Sequence, residues 1–344
     1  MNSLAAGAPA IYMEDWAAAY GPAMLVDPEA EVADDAELVE DGPDTLAFHD
    51  GTPDDGRQTF AFVDGVRRGE GALYLDAGDG TFVSGVAGAH GVGAAVLAPG
   101  RPFRFERCEV TRLVIVGGGT RVELPPVQGG YRWVAASTPL TTPKAPLDEL
   151  QVRMRSSEGR LAEELCAAGY LTLVDGPLFY VRSRDLPVVG VTKTHHRRLL
   201  APAHHERVAL LAPGQRTSLF RLGEERFSAY VRLAARTRTS GPWAGIVRIE
   251  LPSAAGQPDA VRVACRVAGM LPRFAGVPHV DPRAPQNLQP TGALERHLRH
   301  LLGDGGLASR AIRTSIAQLV GEGEARSSRS DERRHLVSSV GGAR

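Results

Sequence analysis

Cysteine is scarce in this chain. The three present, Cys108, Cys166 and Cys265, are an odd and scattered set among 344 residues. They make neither a disulfide framework nor a metal cluster, and they suit a reducing compartment. Net charge is also missing: 39 Lys and Arg against 40 Asp and Glu leave −1, so any nucleic-acid surface must be a local patch. No apolar run approaches the roughly 20 residues that span a bilayer, so no membrane association is expected. The first residues lack a basic segment, and Glu14 and Asp15 interrupt their apolar run, which is unlike a secretory leader; the expectation is a cytoplasmic protein. A phosphate-binding Walker loop is absent as well. Val116-Gly-Gly-Gly-Thr120 lacks the Gly-Lys-Ser/Thr ending, so nucleotide hydrolysis would have to come from a partner.

What remains is an ordinary globular composition, 43% hydrophobic and 23% charged, with room for one large α/β domain or two smaller ones. Residues 27–44 hold nine acids and no base, which reads as a solvated linker or helix surface, and 1–45 as an acidic extension. Strands are expected at Phe60–Val66, Gly71–Asp76 and Phe82–Leu97, with turns at Arg67–Glu70 and Ala77–Gly80. Two further β-like runs, Arg112–Val116 and Tyr131–Ala136, precede a Pro/Thr linker at Thr138–Pro146. Leu150, Met154, Leu161, Leu165 and Cys166 are spaced for a helix over Leu147–Ala168, with Gly169 placed to stop it. Strands Tyr170–Val174 and Pro187–Val191 follow, then a helix at His204–Leu211 and strands at Phe227–Leu233 and Ala244–Leu251. Helices are expected near Ala260–Gly269, Gly292–Leu302 and Leu307–Val320, and a disordered tail over 321–344. The fold class is therefore α/β: an RNase H-like mixed sheet flanked by helices over 46–320. A β-rich insertion is placed at about 80–145, and the additional strands spanning 72–136 read as a small barrel-like or dimerisation element.

Two apolar runs end in Asp-Gly, Phe60-Ala-Phe-Val-Asp-Gly-Val66 and Leu171-Thr-Leu-Val-Asp-Gly-Pro-Leu178. Asp-Gly alone is common turn chemistry. In an RNase H-like sheet, however, the first strand and the first strand after the helix are neighbours, which would bring Asp64 and Asp175 together. Carboxylates held that close raise each other's pKa or recruit a divalent cation. Hydrolysis of a phosphodiester needs its charge neutralised and a water activated, and two ions about 3.5–4 Å apart do both. Oxygen-only ligation suits Mn²⁺ or Mg²⁺ rather than zinc. On the helix before Asp175, Glu158 shares a stripe with Met154 and Leu161, whereas Glu163 and Glu164 are rivals that face elsewhere. Lys193, at a strand end, could bind a phosphate as a point charge or simply reach to solvent. Residues Arg182–Arg207 carry a local basic excess that could track a backbone, although such runs are more often solvated surface. The pairs His195-His196 and His204-His205 lack accompanying cysteines and do not share one helix face, which argues against zinc. The loop Asp281-Pro-Arg-Ala-Pro-Gln-Asn-Leu288 could place Arg283 or Asn287 at a nucleic-acid backbone or cap the following helix.

Val63-Asp-Gly65, Leu173-Val-Asp-Gly-Pro-Leu178, Val189-Gly-Val-Thr-Lys193 and a late proline-rich loop before a helix together resemble the NurA nucleases. Those are RNase H-like, manganese-dependent enzymes that work with the hexameric HerA translocase in DNA end processing or defence. The resemblance spans about residues 59–320. It implies Asp64, Glu158 and Asp175 as metal ligands, with Lys193 beside them as a catalytic residue. It also implies a homodimer acting on DNA with a HerA-like hexameric ATPase. The family closes its site with a histidine past a proline; here the matching position, five residues beyond Pro290, is Glu295, with His297 two residues on. A carboxylate is chemically at home there, so Glu295 is taken as the fourth catalytic residue. The substitution also admits a second reading, a catalytically decayed adaptor of the same fold that guides DNA on an ATPase ring.

Overall fold

Runs of β-branched and small apolar residues form the strands of this chain, and the described strands gather into one sheet. The computed structural model describes residues 11–13, 36–78, 80–193, 199–236, 241–254, 256–277, 279–281 and 283–321. The chain opens with β1 (Ile11–Met13) and β2 (Phe48–Asp50). It then runs through β3 (Phe60–Asp76), β4 (Phe82–Leu97), β5 (Arg104–Val116) and β6 (Val134–Ser137). Helix α1 (Ala145–Ala167) leads into β7 (Leu171–Asp175), β8 (Val189–Thr192), α2 (Pro202–Val208), β9 (Gln215–Thr217) and β10 (Phe220–Leu222). The last elements are β11 (Arg226–Arg232), β12 (Ile246–Pro252), α3 (Gln257–Met270), α4 (Gln289–Leu301) and helical residues 305–321, α5.

Among the described residues all twelve strands share one mixed sheet, ordered β2-β9-β11-β12-β8-β7-β3-β4-β5-β6, with β1 added to β3 and β10 to β11. At its centre β3, β4 and β5 form an antiparallel meander, while β7 runs parallel to β3 and β8 parallel to β7. Helix α1 lays Met154, Leu161 and Leu165 against Ala61, Val63 and Val174 on one face. On the other, α3 and α4 cover Phe60, Phe62 and Leu173 with Val267, Leu294 and Leu298. Helix α5 packs Ile312 and Ile316 under Leu73, Val114 and Trp133 at the far end of the meander. No described helix is long and apolar enough to cross a membrane.

The structure departs from the sequence expectations in four places. Arg67–Glu70 is not a turn: β3 is continuous, and the irregularity is a bulge in which Gly69 and Gly71 face consecutive residues of β4, leaving Glu70 extra. The buried Glu70 carboxylate takes Arg68 and Arg112, both at 2.7 Å, and these arginines also donate to the Leu302 carbonyl that ends α4. The strands between 72 and 136 do not form a barrel; they prolong the same sheet, which stays open and ends at β6. The acidic segment is not uniformly solvated. Glu40 binds the fully buried Arg216 through both oxygens, at 2.6 and 2.7 Å, and Asp41 accepts from Ser218 at 2.6 Å. Partial burial pushes Glu40 upward, but the Arg216 and Leu219 hydrogen bonds outweigh it and leave the pKa lowered. Finally β2, β9 and β10, three-residue strands without a run long enough to show in the sequence, complete one flank. His195, His196, Arg197, Arg198 and the tail beyond 321 lie outside the described residues.

His90, on β4 between Arg67 and Thr111, is 4% exposed and its Nδ1 has no hydrogen-bond partner. Burial, with Arg153 and Arg160 nearby, pushes its pKa down to about 4. The folded protein therefore holds it neutral, while the unfolded chain protonates it below about 6.5. The stability tied to this group is complete above pH 6.5 and is lost as pH falls toward 4, about 3 kcal/mol in all. Urea unfolding at pH 7 and pH 4.5 should show the two stabilities differing by about 2 kcal/mol less in His90→Gln than in the wild type. Equal pH dependence in both would refute the assignment.

Candidate metal and phosphate site

The parallel ladder of β3 and β7 ends at Val63 and Val174, so the next residues on the two strands, Asp64 and Asp175, stand side by side. Phe60 and Phe62 on β3, and Leu171 and Leu173 on β7, all face α4, and strand alternation gives the two aspartates that same face. Only Asp175 is at a strand end, where Gly176, at φ +102°, makes the turn. Asp64 is mid-strand, because β3 continues along β4 for a further 12 residues to Asp76. Gly65 therefore serves close approach rather than a turn: a Cβ there would sit 2.5 Å from Glu158 Oε1 and 2.9 Å from Met154 Cγ.

Glu295 comes from the inward side of α4 and is 8% exposed. Asp64, Asp175 and Glu295 each bring an oxygen into a group whose members lie within 4.8 Å of one another. Glu295 is thus not a surface residue, although Arg299 does lie 4.0 Å from it at i, i+4. Glu158 stands next to this triad but outside it. It occupies the buried stripe of α1 at 1% exposure, and its Oε1 has no hydrogen-bond partner. Glu163 and Glu164 face away, onto the backbone of Ser183 and onto Arg107.

The four carboxylates stand among basic neighbours. Lys193 Nζ lies 2.7 Å from Asp175 Oδ1 and donates to Asn287 Oδ1 at 2.6 Å. Asn287 in turn donates to Asp281 Oδ2 at 2.5 Å. Arg283 grips Asp281 and holds both oxygens of Glu295, at 3.0 and 2.8 Å. Arg155 donates to Glu158 Oε2 at 2.8 Å and to the Asp175 carbonyl at 2.7 Å. The Asp281–Leu288 loop thus neither caps α4, whose N-terminus has no side-chain cap, nor leaves Arg283 and Asn287 free. It ties Lys193 and Glu295 into one network. Arg155 was missed in the sequence; the signal for it was its i, i+3 spacing to Glu158.

Burial, then the charges of Asp175 and Glu158, push the Asp64 pKa well above the usual carboxylate range, and Lys193 opposes them only in part. Burial also raises Glu158 against the pull of Arg155. Asp281 behaves oppositely: burial pushes up, but the hydrogen bonds from Arg283 and Asn287 prevail and hold it well below the usual range. A cavity of about 400 Å³ opens over Asp64, Asp175 and Glu295 and extends along β3 past Arg67. On the side away from β4, residues 64–72 of β3 pair with no described strand, because β7 covers only Phe60–Val63 and β1 only Leu73–Leu75.

An oxygen triad of this kind fits a hard divalent cation such as Mn²⁺ or Mg²⁺. The unpartnered Glu158 Oε1 adds a fourth donor at the edge. A second group, Glu40, Asp41 and His49, has the same mutual distances but is committed to Arg216 and Ser218.

No protein-family model matches the chain, and no curated protein matches it. Among solved structures it is similar to the NurA nuclease from Sulfolobus solfataricus, over 75% of this chain and 86% of that one, with a TM-score of 0.40 and 11% identity.

Because the Asp64 pKa is raised, its charge destabilises the fold: the associated stability is present below pH 3.8 and is lost as pH rises through the raised value. Asp64→Asn should therefore raise the melting temperature of the metal-free protein at pH 7, by about 2–4 °C for each kcal/mol relieved. Mn²⁺ should raise the melting temperature of the wild type and leave that of Asp64→Asn nearly unchanged. A wild type indifferent to Mn²⁺ in this assay would argue against a cation site.

Proposed function

We propose that this protein is a divalent-metal-dependent DNA nuclease of the RNase H-like, NurA type. The observation that carries the reading is the convergence of Asp64, Asp175 and Glu295 at a break between strands, beside the orphaned oxygen of Glu158. The central strand order β5-β4-β3-β7-β8, with β3 parallel to β7, supports it, as do the motifs around Asp64, Asp175 and Lys193.

Asp64, Asp175 and Glu295 would hold the cation, with Glu158 beside them. A bound divalent ion supplies phosphate charge neutralisation and a more acidic water. The chain's own residues do the rest. Lys193, fixed by Asn287, presents a point charge where a phosphate oxygen would lie against Asp175. Arg283 offers a planar fork that can pass from Glu295 to a phosphate once a cation takes over its role there. Before a cation arrives, burial and the adjacent charges favour a proton on Asp64. In this reading the protein works in a cytoplasmic complex with a HerA-like hexameric ATPase, in DNA end processing or defence. It pairs with a second copy through the strands between Ala72 and Ala136, where Phe82 and Val134 are exposed. Light scattering at micromolar concentration should give twice the monomer mass, and a monomer would remove the pairing.

A second reading, the non-catalytic adaptor on an ATPase ring, is favoured by one specific observation. Lys193, Arg155 and Arg283 already engage three of the four carboxylates. The two separate experimentally. A nuclease should degrade linear or single-stranded DNA with Mn²⁺, stay silent in EDTA, and lose at least about 100-fold in rate in Asp175→Asn, the scale of removing one electrostatic catalytic group. Glu295→Gln should raise the Mn²⁺ requirement. In an adaptor, wild type and both variants are equally silent, and Arg283→Ala destabilises by leaving Glu295 buried and unpaired.

A further inference from the structure

We propose that a cavity of about 330 Å³ on the far side of the Asp281–Leu288 loop receives one unpaired nucleotide of the strand whose phosphate lies at Asp64 and Asp175. This rests on the nuclease reading above and adds a base-binding subsite to it. The cavity is at the small end of ligand pockets, a size for one nucleoside rather than a folded segment. Its walls are chiefly apolar and include Phe103, Val280, Pro290, Gly292 and Ala293.

Phe103 is 44% exposed yet fixed in place. Its ring stands edge-on to Phe105 at 5.1 Å and 83°, and Phe105 stacks on His297 of α4 at 4.3 Å and 7°. An exposed aromatic held rigidly beside a cation is the usual platform for an unstacked base. That cation is Arg296, which lines the cavity, is exposed, and makes no ion pair among the described residues. It lies over Gly292, where a Cβ would stand 3.7 Å from Arg296 Nη1 and 3.3 Å from Asn287 Nδ2.

Continuity with the carboxylates selects the occupant. Asn287 and Asp281 line this cavity and also belong to the network that holds Lys193 on Asp175. A phosphate at Lys193 therefore leads directly to a base in the cavity. The groove along β3, on the other side of Arg283, takes the rest of the strand. The loop is the divide about which the strand bends.

The test measures anisotropy of a fluorescent hexathymidylate and of the same chain with abasic sites, using full-length Asp64→Asn protein without added cation so that no cleavage intervenes. Phe103→Ala should weaken hexathymidylate about 5- to 100-fold, the range of one base–aromatic stack, and leave the abasic chain unchanged. Ala293→Phe, which fills the cavity and keeps Phe103, should do the same, with thermal melting confirming that it folds. Arg296→Ala should weaken both probes alike. If hexathymidylate binds and the wild type cleaves DNA, but both cavity variants stay within twofold, the subsite is overturned and the nuclease reading stands. If the Asp64→Asn protein binds neither probe and the wild type does not cleave, both are overturned. A free thymidine monophosphate that competes as well as the hexamer, or a change of oligomeric mass in Phe103→Ala, would assign the cavity to another occupant and overturn the proposal.

Discussion

Two aspartates side by side on neighbouring parallel strands, with burial on one and a turn beneath the other, set the terms for everything around them. Asp64 and Asp175 cannot both be charged in that position without compensation, because their repulsion is scarcely screened inside the sheet. The protein meets this with positive groups from three directions: Arg155 from α1, Lys193 from the end of β8, and Arg283 from the loop before α4. Counting Glu295, Glu158 and Asp281, five carboxylates face three cations, an excess of two negative charges when all are ionised. Asp64 has no direct basic partner among these contacts, and its pKa rises accordingly. That residual charge distinguishes an electrostatically complete core cluster from a place where a further cation is stabilising.

The mechanical arrangement serves the same cluster. Gly65 leaves out the Cβ that would collide with Glu158 Oε1, so α1 can press its glutamate against the back of the strand that carries Asp64. Gly159, the next residue of α1, lies so close to the loop after β7 that a Cβ would meet the Tyr180 carbonyl at 2.1 Å. The two contacts fix the helix against both aspartate-bearing strands. On the opposite face, the bulged Glu70 gathers Arg68 and Arg112 and, through them, the carbonyl end of α4. A helix end with basic donors on its last carbonyls is stabilised by the helix dipole as well as by the hydrogen bonds. This clamp sets the register of α4 and so the position of Glu295.

Local signals in the sequence carried the elements whose residues decide their own conformation. The apolar stripe of α1 marked that helix and singled out Glu158 over Glu163 and Glu164, because inward spacing is a property of one segment. The neighbouring placement of Asp64 and Asp175 followed from the order of strands and helix. What stayed hidden depends on partners distant in the chain. A bulge at Glu70 reads as a turn until its long pairing with β4 is known. Glu40 reads as a linker residue until Arg216 is placed against it. The basic neighbours of the carboxylates stayed hidden for the same reason, since Arg283 reaches Glu295 only through the folding of the Asp281–Leu288 loop.

The loop also explains why Glu295, at the position where the resemblance implies a histidine, does not by itself signal a decayed site. A histidine there would bring a neutral ligand and leave Arg283 with Asp281 alone. With Glu295 the position gains a charge, and Arg283 compensates it through both oxygens, at a geometry suited to a carboxylate fork. The pair is half open, with the Arg283 side chain 53% exposed and that of Glu295 11%. Breaking it returns the guanidinium to water rather than stranding it in the core, so the cost that remains, a buried and unpaired Glu295, is relieved when a further cation takes that carboxylate. Arg283 is consequently the one of the three cations that can leave at low cost. Arg155, wedged between Glu158 and the Asp175 carbonyl, cannot, and Lys193 is held by Asn287 as well as Asp175. A cluster built only for stability would gain nothing from having its most exposed cation on the carboxylate that completes an oxygen triad.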